Sequence, residues 1–396
     1  MIIDNPKKIK QAEIIVGIPS YNEAETIGFV AEQASQGLEK YFPDKKRVII
    51  NVDNNSPDGT KQAFFEAKVN TPRIYISTDK NIKGKGYNFH NLFFMMEKLG
   101  AKTGLVLDAD LKSIRPDWVN KMAKPVFEGY DFIAPYYSRH KTDATITNHL
   151  VYPLIYGLLG WDIRQPIGGD FAFSSKMSEI WLKKKWSRTT YQFGIDIFMS
   201  LTAFFSNSKV CQVNLGSKIH NLSNPKLGPM FSQVAGTLFK MLSKNVDRIK
   251  EGAKINNVEI KGDAQLPVLS SASLNNESYR KIFWSNLDRF WPIIKQVASQ
   301  PVIKRLRKIR RVKKNEIGLK LWTEIVYDFI YAYPEFNKKS LLIDALGCLY
   351  FGRVSQFFID NGHLTHPEVE QTIIKRAKYF FKKRSYFLEK ANEELR

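Results

Sequence analysis

Four short apolar runs, each leading into a polar loop, limit this chain to a small set of folds. Ile14-Ile15-Val16-Gly17-Ile18-Pro19, Arg47-Val48-Ile49-Ile50-Asn51-Val52, Arg73-Ile74-Tyr75-Ile76-Ser77 and Gly104-Leu105-Val106-Leu107 read as buried strands. Ser20 to Thr26 forms a turn into a helix, with Asn22 or Ser20 as its cap. Lys83-Gly84-Lys85-Gly86 precedes a helix running to about Leu99. Strands and helices alternating at this spacing predict an α/β fold with a mostly parallel, doubly wound, Rossmann-like sheet.

In an open sheet of this kind, ligands sit outside the carboxyl ends of the strands. Several chemistry-bearing residues fall there. The fourth run ends in Asp108-Ala109-Asp110. In extended chain, residues two apart point to the same side, so both carboxylates would project where the strand leaves the sheet. Like charges that close repel unless a cation or a fixed donor lies between them. A divalent ion bridging protein oxygen to a substrate diphosphate answers that need; a solvated Asp pair opening a turn is the plainer alternative. Glu23 ends the first run and Asp53 the second, where an Asp can bond a ribose or base; ordinary turn chemistry is the preferred reading of the Asp53 loop from its residues alone. Lys85, flanked by glycines at a helix start, can approach a diphosphate with little steric obstruction.

Composition narrows the partners. With 396 residues, 43% hydrophobic and 25% charged, the chain can bury the cores of two domains. Its net charge of +21 favours anionic partners. Cys211 and Cys348 alone make neither a disulfide framework nor a zinc site, which fits a reducing cytoplasm. The start of the chain has no apolar core of signal-peptide length, and the longest apolar run, about Leu150 to Trp161, is too short to span a bilayer.

The order of motifs is more specific than any one of them. Ile18-Pro19-Ser20-Tyr21-Asn22-Glu23, the Asp53 loop, Gly84-Lys85-Gly86 and Asp108-Ala109-Asp110 resemble nucleotide-sugar-dependent glycosyltransferases of the GT-A fold. Tyr136-Tyr137-Ser138-Arg139, Thr142 to Thr147, Gln165 to Gly169, Phe193-Gly194-Ile195-Asp196 and Lys218-Ile219-His220 follow. This succession, over roughly residues 12 to 240, resembles mannosylglycerate synthase and the related glucosylglycerate and glucosyl-3-phosphoglycerate synthases, which are retaining enzymes. The resemblance implies a GDP- or UDP-hexose donor, held by Pro19, Tyr21, Glu23, Asp53, Lys85, Asp108, Gly168 and Gly169. It implies Asp110 and His220 as ligands of Mg²⁺ or Mn²⁺, with Asp108 holding the ribose or orienting Lys85. Asp196 would bond the sugar hydroxyls, and the Ile167 carbonyl would face the anomeric carbon. Arg139, Asp143 and Thr147 would bind a small carboxylate acceptor such as D-glycerate or 3-phosphoglycerate. Should Asp143 open a helix, Thr147 would share its face; a capping Asp beside an exposed Arg is the alternative.

Residues 1–240 therefore form the expected catalytic domain, and 241–396 a mainly helical second one. Helices are predicted over Leu227 to Ile249, Lys281 to Gln300, Leu319 to Ala332 and Ser340 to Ile359, with a loop-rich crossing at 250–277. Eight basic residues within 304–314 read either as a solvated connector, the preferred reading, or as a peripheral contact with an anionic membrane. No aromatics interleave them for base stacking, which argues against a nucleic-acid partner. A homodimer is the default oligomer. A membrane-surface transferase using a polyprenyl phosphate, and a non-catalytic anion binder on a disused fold, are the competing functional readings.

Overall fold

The computed structural model describes residues 1–220, 227–251, 254–262 and 276–393. Along the chain run β1 (Ile2–Asp4), β2 (Ile14–Ser20), α1 (Ile27–Tyr41), β3 (Arg47–Asp53), α2 (Thr60–Glu66), β4 (Arg73–Ser77), α3 (Lys85–Leu99) and β5 (Thr103–Val106). They are followed by α4 (Pro116–Phe127), β6 (Phe132–Ser138), a π-helical turn (Thr147–Val151), α5 (Tyr152–Leu159), β7 (Trp161–Asp162) and β8 (Phe171–Ser174). Next come α6 (Ser175–Lys183), α7 (Ile195–Phe205), β9 (Val210–Ser217), α8 (Leu227–Ser243), α9 (Val246–Lys250), β10 (Asn256–Asn257) and β11 (Ile260–Lys261). Six helices close the described chain: α10 (Asn276–Val297), α11 (Gln300–Val312), α12 (Leu319–Ala332), α13 (Lys339–Asn361), α14 (His366–Lys382) and the short α15 (Arg384–Glu393).

The four apolar runs are strands β2 to β5, as read from the sequence. The main sheet has the order β1-β4-β3-β2-β5-β8-β6-β9-β11. β2 pairs in parallel with β3 and with β5, and β3 with β4. β8 runs antiparallel between β5 and β6, and β1 caps the opposite edge antiparallel to β4. Chain order moves outward from β2 through β3 and β4, then returns to its other side as β5. That reversal opens a crevice at the carboxyl ends of β2 and β5. β2 is buried at every position, which is why it reads as a continuous apolar run rather than an alternating one. Ile14, Val16 and Ile18 meet Ile27, Val30 and Ala34 of α1 and Trp118, Val119 and Met122 of α4 in one core.

The described residues group into two compact units: one within Met1–Ser138, Gln165–Asn224 and Val258–Leu269, the other within Arg139–Arg164, Pro225–Asn257 and Ser270–Arg396. A single cut at 240 differs from this grouping. Chain 139–164 joins the second unit because α5 packs Tyr152 and Tyr156 against Phe357, Val369, Ile373 and Ala377 of its helices. Part of the expected crossing at 250–277, with Gly252 and Ser270-Ser271, lies outside the described residues.

Local details correct the sequence reading. Asn22 takes a left-handed φ of 60° and α1 begins only at Ile27, so neither Ser20 nor Asn22 caps it. The helix expected over 227–249 breaks after Ser243, where the Asn245 side chain donates to the Met241 carbonyl. The basic run is not a connector. All of it but Lys313 and Lys314 lies in α11, whose Val302, Ile303, Leu306 and Ile309 are buried while Lys304, Arg307, Lys308 and Arg311 face outward. Helix α13 is long and apolar enough to cross a membrane by length and composition. Its most apolar window is 78% buried, as in the core helix of a soluble unit.

Candidate active site

The β5 ladder ends at Val106, two residues before Asp108. The Leu107 amide still donates to the Gly17 carbonyl, and the chain then turns. The same-side rule for extended chain thus does not govern the Asp108–Asp110 pair; each carboxylate finds its own surroundings.

Asp108 is gripped by two lysines. Lys85 Nζ donates to Oδ1 at 3.0 Å and Lys218 Nζ to Oδ2 at 2.7 Å. Lys85 also stands 3.3 Å from the Asp196 carboxylate. Lys218 reaches Asp170 Oδ2 at 2.6 Å and the Gly168 carbonyl at 2.9 Å. Asp170 completes the frame by accepting from the Asp108 amide at 2.8 Å and the Tyr137 hydroxyl at 2.6 Å. The cation that like-charged carboxylates require is therefore supplied, at Asp108, by the protein itself.

The side chain of Lys218 is 3% exposed and that of Asp170 is fully buried. Burial would raise the Asp108 carboxyl, but Lys218 and Lys85 outweigh it and hold that group well below the usual carboxylate range. Burial lowers an ammonium, yet the Asp108 and Asp196 charges hold Lys85 above its ordinary value. For Asp196 burial prevails over Lys85 and its carboxyl is raised. Asp170 is raised by burial and by the neighbouring Asp108 charge, against the pull of Lys218. Such opposed shifts within one cluster are common where chemistry is done, and also occur in structural ion-pair networks.

Asp110 and His220 approach each other on the same side of this cluster's loop. His220 Nδ1 lies 3.9 Å from Asp110 Oδ2. The backbone explains the approach: the Lys112 amide donates to the Ile219 carbonyl, and the Ile219 amide to the Ser113 hydroxyl, each at 2.9 Å. At 3.9 Å the two atoms are too far apart for a direct hydrogen bond. With bonds of about 2.1 Å to each, one shared cation would sit between the cis and trans angles of an octahedron, so holding it would need a small adjustment of either side chain. Carboxylate plus imidazole is a donor set that Mg²⁺ or Mn²⁺ accepts, given further oxygen ligands.

Other expected donor-site residues have different local duties. Asp53 has no exposed surface and accepts from Ser20 Oγ, Ser56 N and Oγ, and the Tyr75 hydroxyl. Both its oxygens are occupied in shaping the loop after β3. The glycines around Lys85 serve close packing. A Cβ on Gly86 would meet the Thr190 carbonyl at 2.1 Å, and Tyr87 stacks on Tyr191 beside it. Gly168 packs likewise on Pro135. Gly169 has φ of 89°, and a Cβ there would lie 2.1 Å from Asp108 Oδ2. Gly169→Ala should therefore cost about 1–3 kcal/mol through the disfavoured backbone and the displaced carboxylate. Thermal unfolding of the variant checks this; an unchanged midpoint would show that Asp108 moves aside freely.

Pro19 lies buried at the end of β2. Tyr21 is half-buried beneath the Lys83 ammonium, 4.4 Å from its ring centroid, and Glu23 accepts from the Thr26 hydroxyl at 3.2 Å. Ile167 is half-buried in the turn before Gly168. Asp196 sits in the first turn of α7, with Oδ1 making no well-formed hydrogen bond. The acceptor candidates belong to the second unit. There Arg139 places Nε and Nη2 each 2.8 Å from Asp143 Oδ2, and Asp143 Oδ1 accepts from the Ala144 amide. Asp143 does not open a helix; Thr147 begins the π-helical turn and is buried. The clamp expected to hold an acceptor is closed on its own carboxylate. Sequence reasoning missed Asp170 and gave Lys218 no role. The signal was a charged residue directly before or after a buried strand, β8 and β9 respectively.

The motif resemblance is borne out by comparison with known proteins. Residues 49–225 match the family model for the GT domain of mannosylglycerate synthase, and the mostly parallel sheet is the GT-A arrangement the resemblance implied. More particularly, the chain is 25% identical over 185 residues to the mannosylglycerate synthase of Rhodothermus marinus. That match covers 45% of this chain and 42% of the relative, so the likeness spans less than half of the curated relative's length. Glucosyl-3-phosphoglycerate synthase from Mycobacterium tuberculosis, solved with Mg²⁺ and UDP, aligns with a TM-score of 0.47 and 21% identity. The same enzyme with Mn²⁺, UDP-glucose and phosphoglyceric acid aligns with a TM-score of 0.46 and 22% identity. Each covers 59% of this chain and 80% of that one.

Proposed function

We propose that this protein is a metal-dependent, retaining glycosyltransferase. It moves a glucosyl or mannosyl group from a nucleoside diphosphate sugar to D-glycerate or 3-phosphoglycerate, in the cytoplasm. The observation that carries this reading is the pairing of Asp110 and His220, 3.9 Å apart, beside the lysine-clamped Asp108. The match to the mannosylglycerate synthase GT domain supports it.

Asp110 and His220 would hold the divalent ion, which supplies Lewis-acid stabilisation of the departing nucleoside diphosphate. Lys85, fully protonated between Asp108 and Asp196, adds a fixed positive charge for the anionic donor. Asp196, buried and raised, accepts from a donor-sugar hydroxyl and steadies positive charge at the anomeric carbon. Double displacement would need a carboxylate on the opposite face of that carbon. We assign the Ile167 carbonyl there instead, so attack proceeds on the same face as departure. Arg139 exchanges its Asp143 partner for the acceptor carboxylate, since a guanidinium binds either bidentately.

Purified protein with Mg²⁺ or Mn²⁺, GDP- and UDP-linked glucose and mannose, and both acceptors tests this. Product mass identifies the transfer and the anomeric NMR coupling its stereochemistry. An inverted product would refute the same-face route, and absence of any glycerate product the acceptor assignment. In the same assay, Arg139→Ala should raise acceptor KM with little change in kcat, because its grip is alike in ground and transition states.

A further inference from the structure

Three nitrogen-bearing side chains gather around one phenyl ring inside the helical unit. The Arg376 guanidinium lies 4.0 Å from the Phe357 centroid and that of Arg353 lies 6.0 Å away. The His149 ring meets the same phenyl edge-on at 4.7 Å. Their relative exposures are 6%, 1% and 2%. Arg353 donates to the Ile317 carbonyl through Nη1, but its Nε makes no hydrogen bond among the described residues. Nor do Arg376 Nη1 or either nitrogen of His149.

Among the described residues, no carboxylate is bonded to this cluster. Asp360 is the charge that offsets both guanidiniums at a distance, and it is exposed and engaged with Gln356. Buried donors are almost always paired, and unpaired ones in a native fold call for an ordered water or ion. Two like charges buried against one phenyl ring call for the ion. Arginine cannot shed its proton to escape, so the repulsion stands until something negative shares the site. Histidine differs: burial and then the two arginines hold His149 well below its usual range, leaving a neutral ring with one N–H to give.

We infer that Arg353, Arg376 and His149 form an internal site for one small inorganic anion, a halide or a phosphate, that stabilises the helical unit. The cation–π contact of Arg376 with Phe357 fixes one donor, and the Ile317 carbonyl fixes the other guanidinium. The site requires neither sugar turnover nor the Asp110–His220 pair, so it stands or falls apart from the proposed activity.

Thermal unfolding of the full chain in sodium bromide, sodium phosphate and sodium gluconate at matched ionic strength is the test. Saturating the site should raise Tm by about 4 °C or more over gluconate, which is too bulky to enter. A rise with bromide alone assigns a halide, and a rise with phosphate alone an oxyanion. Arg376→Met should abolish the difference between salts, and in gluconate should melt no lower than the parent, because removing one buried charge relieves the repulsion. Should that variant fail to fold, bromide-soaked crystals of the unaltered protein decide, through an anomalous peak between Arg353 and Arg376. Equal Tm in all three salts with no such peak would mean that water alone satisfies these donors, and the inference is overturned.

Discussion

Exchanging Lys218 for methionine should destabilise the α/β unit by about 3–5 kcal/mol, the loss seen when one partner of a buried ion pair is removed. Methionine fills much of the same space, so the effect isolates the charge. Lys218 touches Asp108, Asp170 and the Gly168 carbonyl, and the variant leaves a fully buried Asp170 with only the Tyr137 hydroxyl and the Asp108 amide. Chemical denaturation at neutral pH measures the deficit.

Its pH dependence gives a second handle. Asp170 is already raised in the folded protein by burial and then by Asp108. Without Lys218 its protonated form is favoured further. A group whose folded pKa exceeds its unfolded value binds more protons when folded, so stability falls as pH rises and recovers as pH drops. The variant's deficit should therefore shrink between about pH 8 and about pH 5. The parent responds in the opposite sense at lower pH. Asp108, held low by Lys218 and Lys85, contributes stability that is full above the unfolded carboxyl range and is lost as pH falls toward its folded value. A variant with parental stability at every pH would show the cluster to be solvated rather than clamped.

These clamped residues also show where sequence reasoning stops. The sheet was legible because β2, β3 and β4 are buried at nearly every position and so appear as unbroken apolar runs. That Asp110 and His220 would approach each other was expected only from the family resemblance, since a lone histidine after a strand is ordinary. Asp170 and Lys218 lie 48 positions apart, and a charge flanking a buried strand does not say which distant residue it pairs with. At Asp53 the ordinary turn chemistry preferred from the residues is what is seen: Ser20, Ser56 and Tyr75 all donate to its carboxylate. In α11 the signal was present but masked. Val302, Ile303, Leu306 and Ile309 trace a helical stripe, and the surrounding arginines and lysines drew attention from it.

Asp110→Ala should lower kcat/KM by on the order of 10²–10³ while leaving Tm within about 1 °C, because the two effects have separate sources. The Asp110 side chain is 23% exposed and sits in a loop beyond β5, so truncation opens no core cavity. Its loss instead removes one of two protein groups that would hold the divalent ion. His220→Ala should match it in size. The double variant should be scarcely worse than either single one, since two groups serving one ion act as a unit. A Mn²⁺ titration followed by the spin resonance of the free ion, with UDP present, gives a readout that needs no turnover. Affinity should fall together in both single variants. Multiplicative losses of activity, or undiminished Mn²⁺ binding in either variant, would separate Asp110 from His220 and remove the basis for assigning them one ion.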